Sequence, residues 1–187
     1  MTQDGFHRPP WVVAVGAVSG GGKTTITNGL AERLPASHVL LFDDYDFEEP
    51  ANLLAWVDQG ADYQAWDLTP LVADLERALR EPCQHIILDY PFAYAQDQVS
   101  PYIDIAIFVD TPLDVALSRR LLRDFRGSSG EAILRDVQHY VESGRRAYMA
   151  HLKTVRHQSD MVVDGSQPPE AIVTDIVDQL AARLTTG

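Results

Sequence analysis

The sequence predicts an α/β fold of three layers, α/β/α, on a five-stranded parallel sheet, and three observations lead there. Five short apolar runs rich in β-branched residues recur along 187 residues. Each is near-continuously apolar rather than alternating, the pattern of strands buried on both faces. Helical patterns separate them, which implies right-handed crossovers between parallel strands.

The elements follow in order. "WVVAV" (11–15) reads as the first strand, and Lys23–Leu34 then places Ile26, Leu30 and Leu34 on one helical face. "HVLLF" (38–42) is the second strand. Thr69-Pro70 reads as an N-cap followed by proline at N1, opening a helix through about Leu79. "HIIL" (85–88) and "IAIFV" (105–109) are the third and fourth strands. Thr111-Pro112-Leu113-Asp114 repeats the start signal and adds a capping-box acid. A helix from about Glu131 to Arg156 leads to "MVV" (161–163), the fifth strand. The last helix begins near Pro168 and buries Ile172, Val173, Ile176, Val177 and Leu180. "RGSSG" (126–130) reads as a mobile loop. No repeat or linker interrupts the pattern, so residues 1–187 read as one domain.

The formal charge of -12 argues against nonspecific binding to nucleic acid or anionic membrane. An anionic ligand therefore needs a local positive site. One cysteine, Cys83, excludes an internal disulfide framework and a cysteine-based zinc site. "MTQDGFHRPP" carries no apolar leader core, and no run approaches the length of a membrane span. A cytoplasmic setting is the simplest reading, and homo-oligomerisation is left open.

Behind the first strand comes "GAVSGGGKTT" (16–25). Only two lysines, Lys23 and Lys153, stand against thirteen arginines. Strand, glycine-rich turn, Lys-Thr and amphipathic helix together form the context of a P-loop. The glycines let successive N–H groups point at a phosphate, at the positive end of the following helix. Val18, Ser19, Gly20, Gly21, Gly22, Lys23, Thr24 and Thr25 are thus the nucleotide-binding candidates. Lys23 reaches the β- and γ-phosphates as a point charge that a planar guanidinium would not match, and Thr24 offers its hydroxyl to Mg²⁺. The pattern departs at Ala17, where G-x-x-x-x-G-K-[ST] asks for glycine.

Carboxylates decide what such a loop does with nucleotide. Asp89 ends "HIILD", where a Walker-B acid near Mg²⁺ belongs, although an acid merely terminating the strand reads the same way. "FDDYDF" supplies Asp43, Asp44 and Asp46 after the second strand, either as a solvated turn or as the source of a catalytic base. Asp43 is preferred because it follows the apolar run directly, with its strand expected beside the P-loop. "SRRLLRDFR" places Arg119, Arg123 and Arg126 at i, i+4, i+7, with Arg120 beside them. Such a cluster suits a helical lid, about 117–132, that neutralises a transferred phosphoryl group; it suits a salt-bridged helix face as well.

In four blocks the chain resembles the uridine kinase and phosphoribulokinase-like group of P-loop kinases, which includes the nicotinamide riboside kinases. "SGGGKTT" is similar to the P-loop, and "FDDYDF" to the acid-aromatic segment whose first acid is base or hydroxyl anchor. "IAIFVDTPLDVALSRRLLRDFR" resembles the strand-four and lid region. "YVESGRRAYMAHLKTVRHQSDMVVDG" resembles the long helix and last strand, with Arg145, Tyr148 and His151 in matching places. The middle segment is short and closer to nicotinamide riboside kinases, where a pair like Trp66-Asp67 sets an acid on ribose hydroxyls.

The resemblance implies ATP and Mg²⁺ as cofactors and transfer of the γ-phosphoryl of ATP to a hydroxyl of a nucleoside-like metabolite. In that scheme Lys23, Asp43, Arg119 and Arg123 are catalytic, and Arg120 and Arg126 join the nucleotide-binding residues. Asp43, Tyr45, Asp67, Tyr94 and Arg145 bind the acceptor, and Thr24 with Asp89 or Asp43 holds the metal. Tyr45, Phe47, Tyr63, Trp66, Phe92 and Tyr94 are stacking candidates and equally core candidates. Two alternatives stay open: a kinase of another metabolite such as nicotinamide riboside or pantothenate, and a nucleotide-binding regulator without catalysis. No [NT]-K-x-D guanine signature is present.

Overall fold

The computed structural model describes residues 9–48, 50 and 53–184. The first eight residues, scanned above for a leader, lie outside them. Among the described residues, β1 (Trp11–Gly16), β2 (Ser37–Leu41), β3 (His85–Asp89), β4 (Ile105–Asp110) and β5 (Met161–Asp164) form one sheet in the order β2-β3-β1-β4-β5. Every pairing is parallel. The five apolar runs are the five strands.

Side-chain alternation divides the core into two layers. Val13, Val15, Ile87, Ile105, Ile107 and Val109 face α1 (Lys23–Arg33) and α7 (Pro169–Leu184), where Ile26, Leu30, Ile172, Ile176 and Leu180 meet them. Val12, Ala14, Ile86, Leu88, Ala106 and Phe108 face the other way, toward α3 (Thr69–Ala78) and an aromatic cluster. The central strands β1, β3 and β4 are buried on both faces. β2 and β5 lie at the edges, and Val162 of β5 is partly exposed for that reason.

Two start signals resolve differently from the pattern. Leu68, rather than Thr69, stands at the N-cap of α3, and the Asp67 carboxylate just before it accepts from the Thr69 N–H at 3.0 Å and its hydroxyl at 2.6 Å. Pro112 stands at the N-cap position of α4 (Leu113–Asp124), so no capping box forms. Thr111 is buried, and its hydroxyl donates to the Gly21 carbonyl at 2.8 Å. A short helix, α2 (Leu53–Asp58), also stands where no helical pattern was legible.

The long helix predicted over 131–156 exists as α5 (Gly130–His139) and α6 (Arg145–His151), interrupted by π-helical turns at Tyr140–Gly144 and Leu152–Arg156. A 3.6-residue periodicity does not register one-residue insertions of this kind. Because β1 lies between β3 and β4, the switch in strand order falls at its carboxyl end, where open α/β sheets place their crevice.

Candidate active site

The loop between β1 and α1 is a cradle of backbone amides. The Gly21 N–H donates to the Val18 carbonyl at 2.8 Å and closes the turn. Gly20 and Gly22 take φ of 80° and 99°, the left-handed region in which a Cβ is strained. Gly22 stands at the N-cap of α1 without a side-chain cap, and no acid occupies the first turn, so the helix start is left to an external anion.

Ala17 does not disturb this turn: its φ is not positive, so the methyl group costs no backbone strain. It does restrict its neighbour, because a Cβ at Gly21 would stand 2.9 Å from the Ala17 Cβ. Gly20 is pressed against α4, where a Cβ would meet the Ala116 carbonyl oxygen at 2.1 Å. Gly20→Ala should therefore displace the loop from α4 and abolish most of the rise in melting temperature that ATP–Mg²⁺ confers on the native chain. An undiminished rise would show that the cradle tolerates the displacement.

A cavity of about 490 Å³ opens over this loop. The P-loop from Ala17 to Ile26 forms one wall, Phe42, Asp43 and Pro91 a second, and Arg119 and Arg123 a third. All four residues predicted to be catalytic thus meet here. The route is not the expected one, since β2 pairs with β3 and not with β1. Asp43 reaches the cavity from a 3₁₀ turn (Phe42–Asp44) across the end of β3, and its charge acts on both Lys23 and Arg123.

The strand between them carries Asp89, whose backbone stands opposite Val15 on one side and Leu41 on the other. Asp89 is buried and ion-paired with the Lys23 ammonium. Burial pulls Lys23 down to about 8, Asp43 opposes that fall, and Arg123 adds to it. Asp89 does not line the cavity, so Thr24 and Asp43 are the predicted metal ligands that do. Among the described residues no cluster of three or more His, Cys, Asp or Glu residues is arranged to hold a metal. That donor set fits Mg²⁺, which binds through one or two protein groups plus substrate phosphates.

The arginines divide. The Arg119 guanidinium donates to the Gly165 carbonyl at 3.2 Å, and Arg123 pairs with Asp124 at 2.6 Å while flanking the cavity. Arg120 turns to Asp136 of α5, donating at 3.1 Å, and so ties the two helices together instead of facing a phosphate. Arg126 lies beyond the end of α4, which stops at Asp124; the i+7 alignment required a turn of helix that Gly127, at φ 83°, does not continue.

The predicted acceptor residues other than Asp43 are placed elsewhere. The Tyr45 hydroxyl donates to Asp74 at 2.9 Å, and Asp67 accepts from Thr69 at the start of α3. The Tyr94 hydroxyl donates at 2.6 Å to Asp160, which precedes β5, on the side of the sheet away from the P-loop. Arg145 is exposed on α6 and does not line the cavity. Tyr63, Trp66 and Phe92 are buried in the aromatic cluster, with Trp66 and Phe92 5.0 Å apart, and Phe42 joins that cluster to the cavity through Phe92 at 5.4 Å.

Several site residues escaped the sequence. Val109, Gly165, Gln167, Pro169 and Ile172 also line the cavity. The signal that marks them is position: "DGSQPP" follows the last strand at the carboxyl edge of the sheet. His151, named above through the resemblance, does not line the cavity; its buried Nε2 has no partner and its ring packs 5.8 Å from Phe108. Burial, aided by the charge of Lys23, lowers its pKa to about 4, so it is neutral.

Comparison with known proteins agrees with this geometry. The solved structure of a sugar kinase from a Janibacter species superposes with a TM-score of 0.57 at 22% identity, covering 92% of this chain and 95% of that one. The uridine kinase of Bacillus pumilus is 26% identical over 93% of this chain and 97% of its own length. That of Deinococcus deserti is 24% identical over 96% and 98%. The model of the phosphoribulokinase / uridine kinase family matches residues 56–169, a stretch that runs from α2 through β3, α4 and β5 to the start of α7. Because that stretch is more than half of the chain, the chain belongs to the phosphoribulokinase / uridine kinase family.

Proposed function

We propose that the chain is an ATP-dependent kinase that moves the γ-phosphoryl group to a hydroxyl of a small nucleoside-like metabolite. One observation carries the reading: the Asp43 carboxylate faces the Lys23 cradle across the cavity that Arg119 and Arg123 flank. The loop amides and Lys23 hold the β- and γ-phosphates. Asp43 orients the acceptor hydroxyl and takes its proton as the oxygen bonds to the γ-phosphorus. The bond from that phosphorus to the bridging oxygen breaks, and ADP keeps the electron pair. Arg119 and Arg123 stabilise charge on the phosphoryl oxygens in flight. Thr24 and Asp43 would be the protein donors to Mg²⁺, which would supply positive charge to offset that of the phosphates. Positioning and charge neutralisation account for the rate, because a loose phosphoryl-transfer transition state asks for little else.

Phosphorylation of another metabolite is the second reading, favoured by the placement of Tyr45, Asp67, Tyr94 and Arg145 away from the cavity. ADP release measured with nucleosides, nicotinamide riboside, pantothenate and free sugars separates the two. Stimulation by a nucleoside is the expected result. Thermal stabilisation by ATP–Mg²⁺ without release in the presence of any acceptor would make the protein a nucleotide-binding regulator instead.

A further inference from the structure

One peptide of the phosphate loop is held by a residue that lies outside it. Thr111, just past β4, is 2% exposed and does not line the cavity. Its hydroxyl donates to the Gly21 carbonyl at 2.8 Å, in the interior and across 90 positions of chain. The side chain is β-branched and stiff about its first bond. Gly165 closes over its oxygen: a Cβ there would stand 1.9 Å from Thr111 Oγ1, and the Gly165 N–H is anchored on the Asp110 carbonyl at 3.0 Å. Glycine at 165 leaves that oxygen its place.

The bond decides more than the direction of one carbonyl. A peptide unit is planar and trans, so the Gly21 C=O and the Gly22 N–H point in opposite directions. With the carbonyl drawn to Thr111, the Gly22 N–H is turned away from Thr111, to the side on which Gly22 lines the cavity. No backbone hydrogen bond among the described residues uses that N–H. Sterics do little to fix the unit. It lies between two glycines, and a Cβ at Gly22 would meet nothing within 4 Å. Rotated half a turn, it would offer an anion a carbonyl oxygen instead of a donor, and attraction would become repulsion.

We infer that Thr111 is a positioning residue for phosphate: its hydroxyl stops the Gly21–Gly22 peptide from rotating and so aims the Gly22 N–H at the bound anion. The inference rests on the nucleotide-binding part of the function given above. It places part of the phosphate affinity under the control of β4 and of the turn after β5, whose Gly165 keeps the threonine in position.

The test is titration calorimetry of the intact protein with ADP–Mg²⁺ and with inorganic tripolyphosphate, which has neither base nor ribose. Thr111→Val keeps the shape of the side chain and removes the donor. It should weaken both ligands by about 10- to 100-fold, the effect of one hydrogen bond to a charged group. Thr111→Ser, which restores the hydroxyl, should bind within about threefold of the native chain. Amide NMR supplies a signature that a merely structural role would not move. Tripolyphosphate should shift the Gly22 amide proton downfield in the native chain and in Thr111→Ser, but not in Thr111→Val. Gly165→Ala keeps the threonine and drives its hydroxyl off Gly21, so it should lose the same shift; it decides the question if Thr111→Val does not fold. Native affinity together with a native Gly22 shift in these two variants would overturn the assignment and leave nucleotide binding standing. Failure of the native chain to bind either ligand would overturn both.

Discussion

Asp43→Asn is expected to cut turnover by about 10²- to 10⁴-fold, the contribution of a positioned general base, with the affinity for ATP changed little. The side chain keeps its size and its place on an exposed 3₁₀ turn, so stability should hold. It loses the capacity to take a proton, and its charge no longer offsets the burial that lowers Lys23. Steady-state kinetics of ADP release, beside ATP titration of the same preparation, read the two effects apart. Turnover within threefold of the native chain would remove Asp43 from the chemistry.

Lys23→Met should act on two levels. Loss of the ammonium from the phosphates is expected to lower turnover by about 10²- to 10³-fold, the effect of deleting one electrostatic donor at a transition state. It also leaves Asp89, 2% exposed, as a buried carboxylate without its partner. Breaking such a pair from one side costs about 3–5 kcal/mol, or roughly 6–20 °C of melting temperature in a chain of this size. The double variant Lys23→Met with Asp89→Asn removes the stranded charge and should recover most of that stability but none of the turnover. Full stability in Lys23→Met alone would mean that Asp89 is neutral or hydrated, and recovered turnover in the double variant would sink the assignment of Lys23.

Much of this architecture is legible in the sequence. Continuous apolar runs are what a parallel sheet covered by helices demands, and all five became strands because few other arrangements bury such residues twice over. The cradle was legible for a different reason: its chemistry is local, carried by backbone conformations that adjacent glycines permit. Where inference ran along one helix face and stopped at a boundary it could not see, it failed, as at Arg126, which lies past the end of α4. Asp67 and Thr111 were read for chemistry and for capping, and each took another role. The acid became an acceptor for Thr69 at the start of α3, and the threonine became a brace under Gly21.

The sequence by itself determined the layers, the phosphate loop and the kinds of charge around it, because hydrophobic periodicity, glycine and short-range spacing act between near neighbours in the chain. Tertiary structure alone decided which charges meet: that Asp89 lies between Asp43 and the P-loop strand and pairs with Lys23, and that Arg119 and Arg123 line the cavity while Arg120 binds Asp136. Those outcomes depend on strand order and on where helices stop. Both are settled by packing among residues tens of positions apart, and no local pattern encodes them.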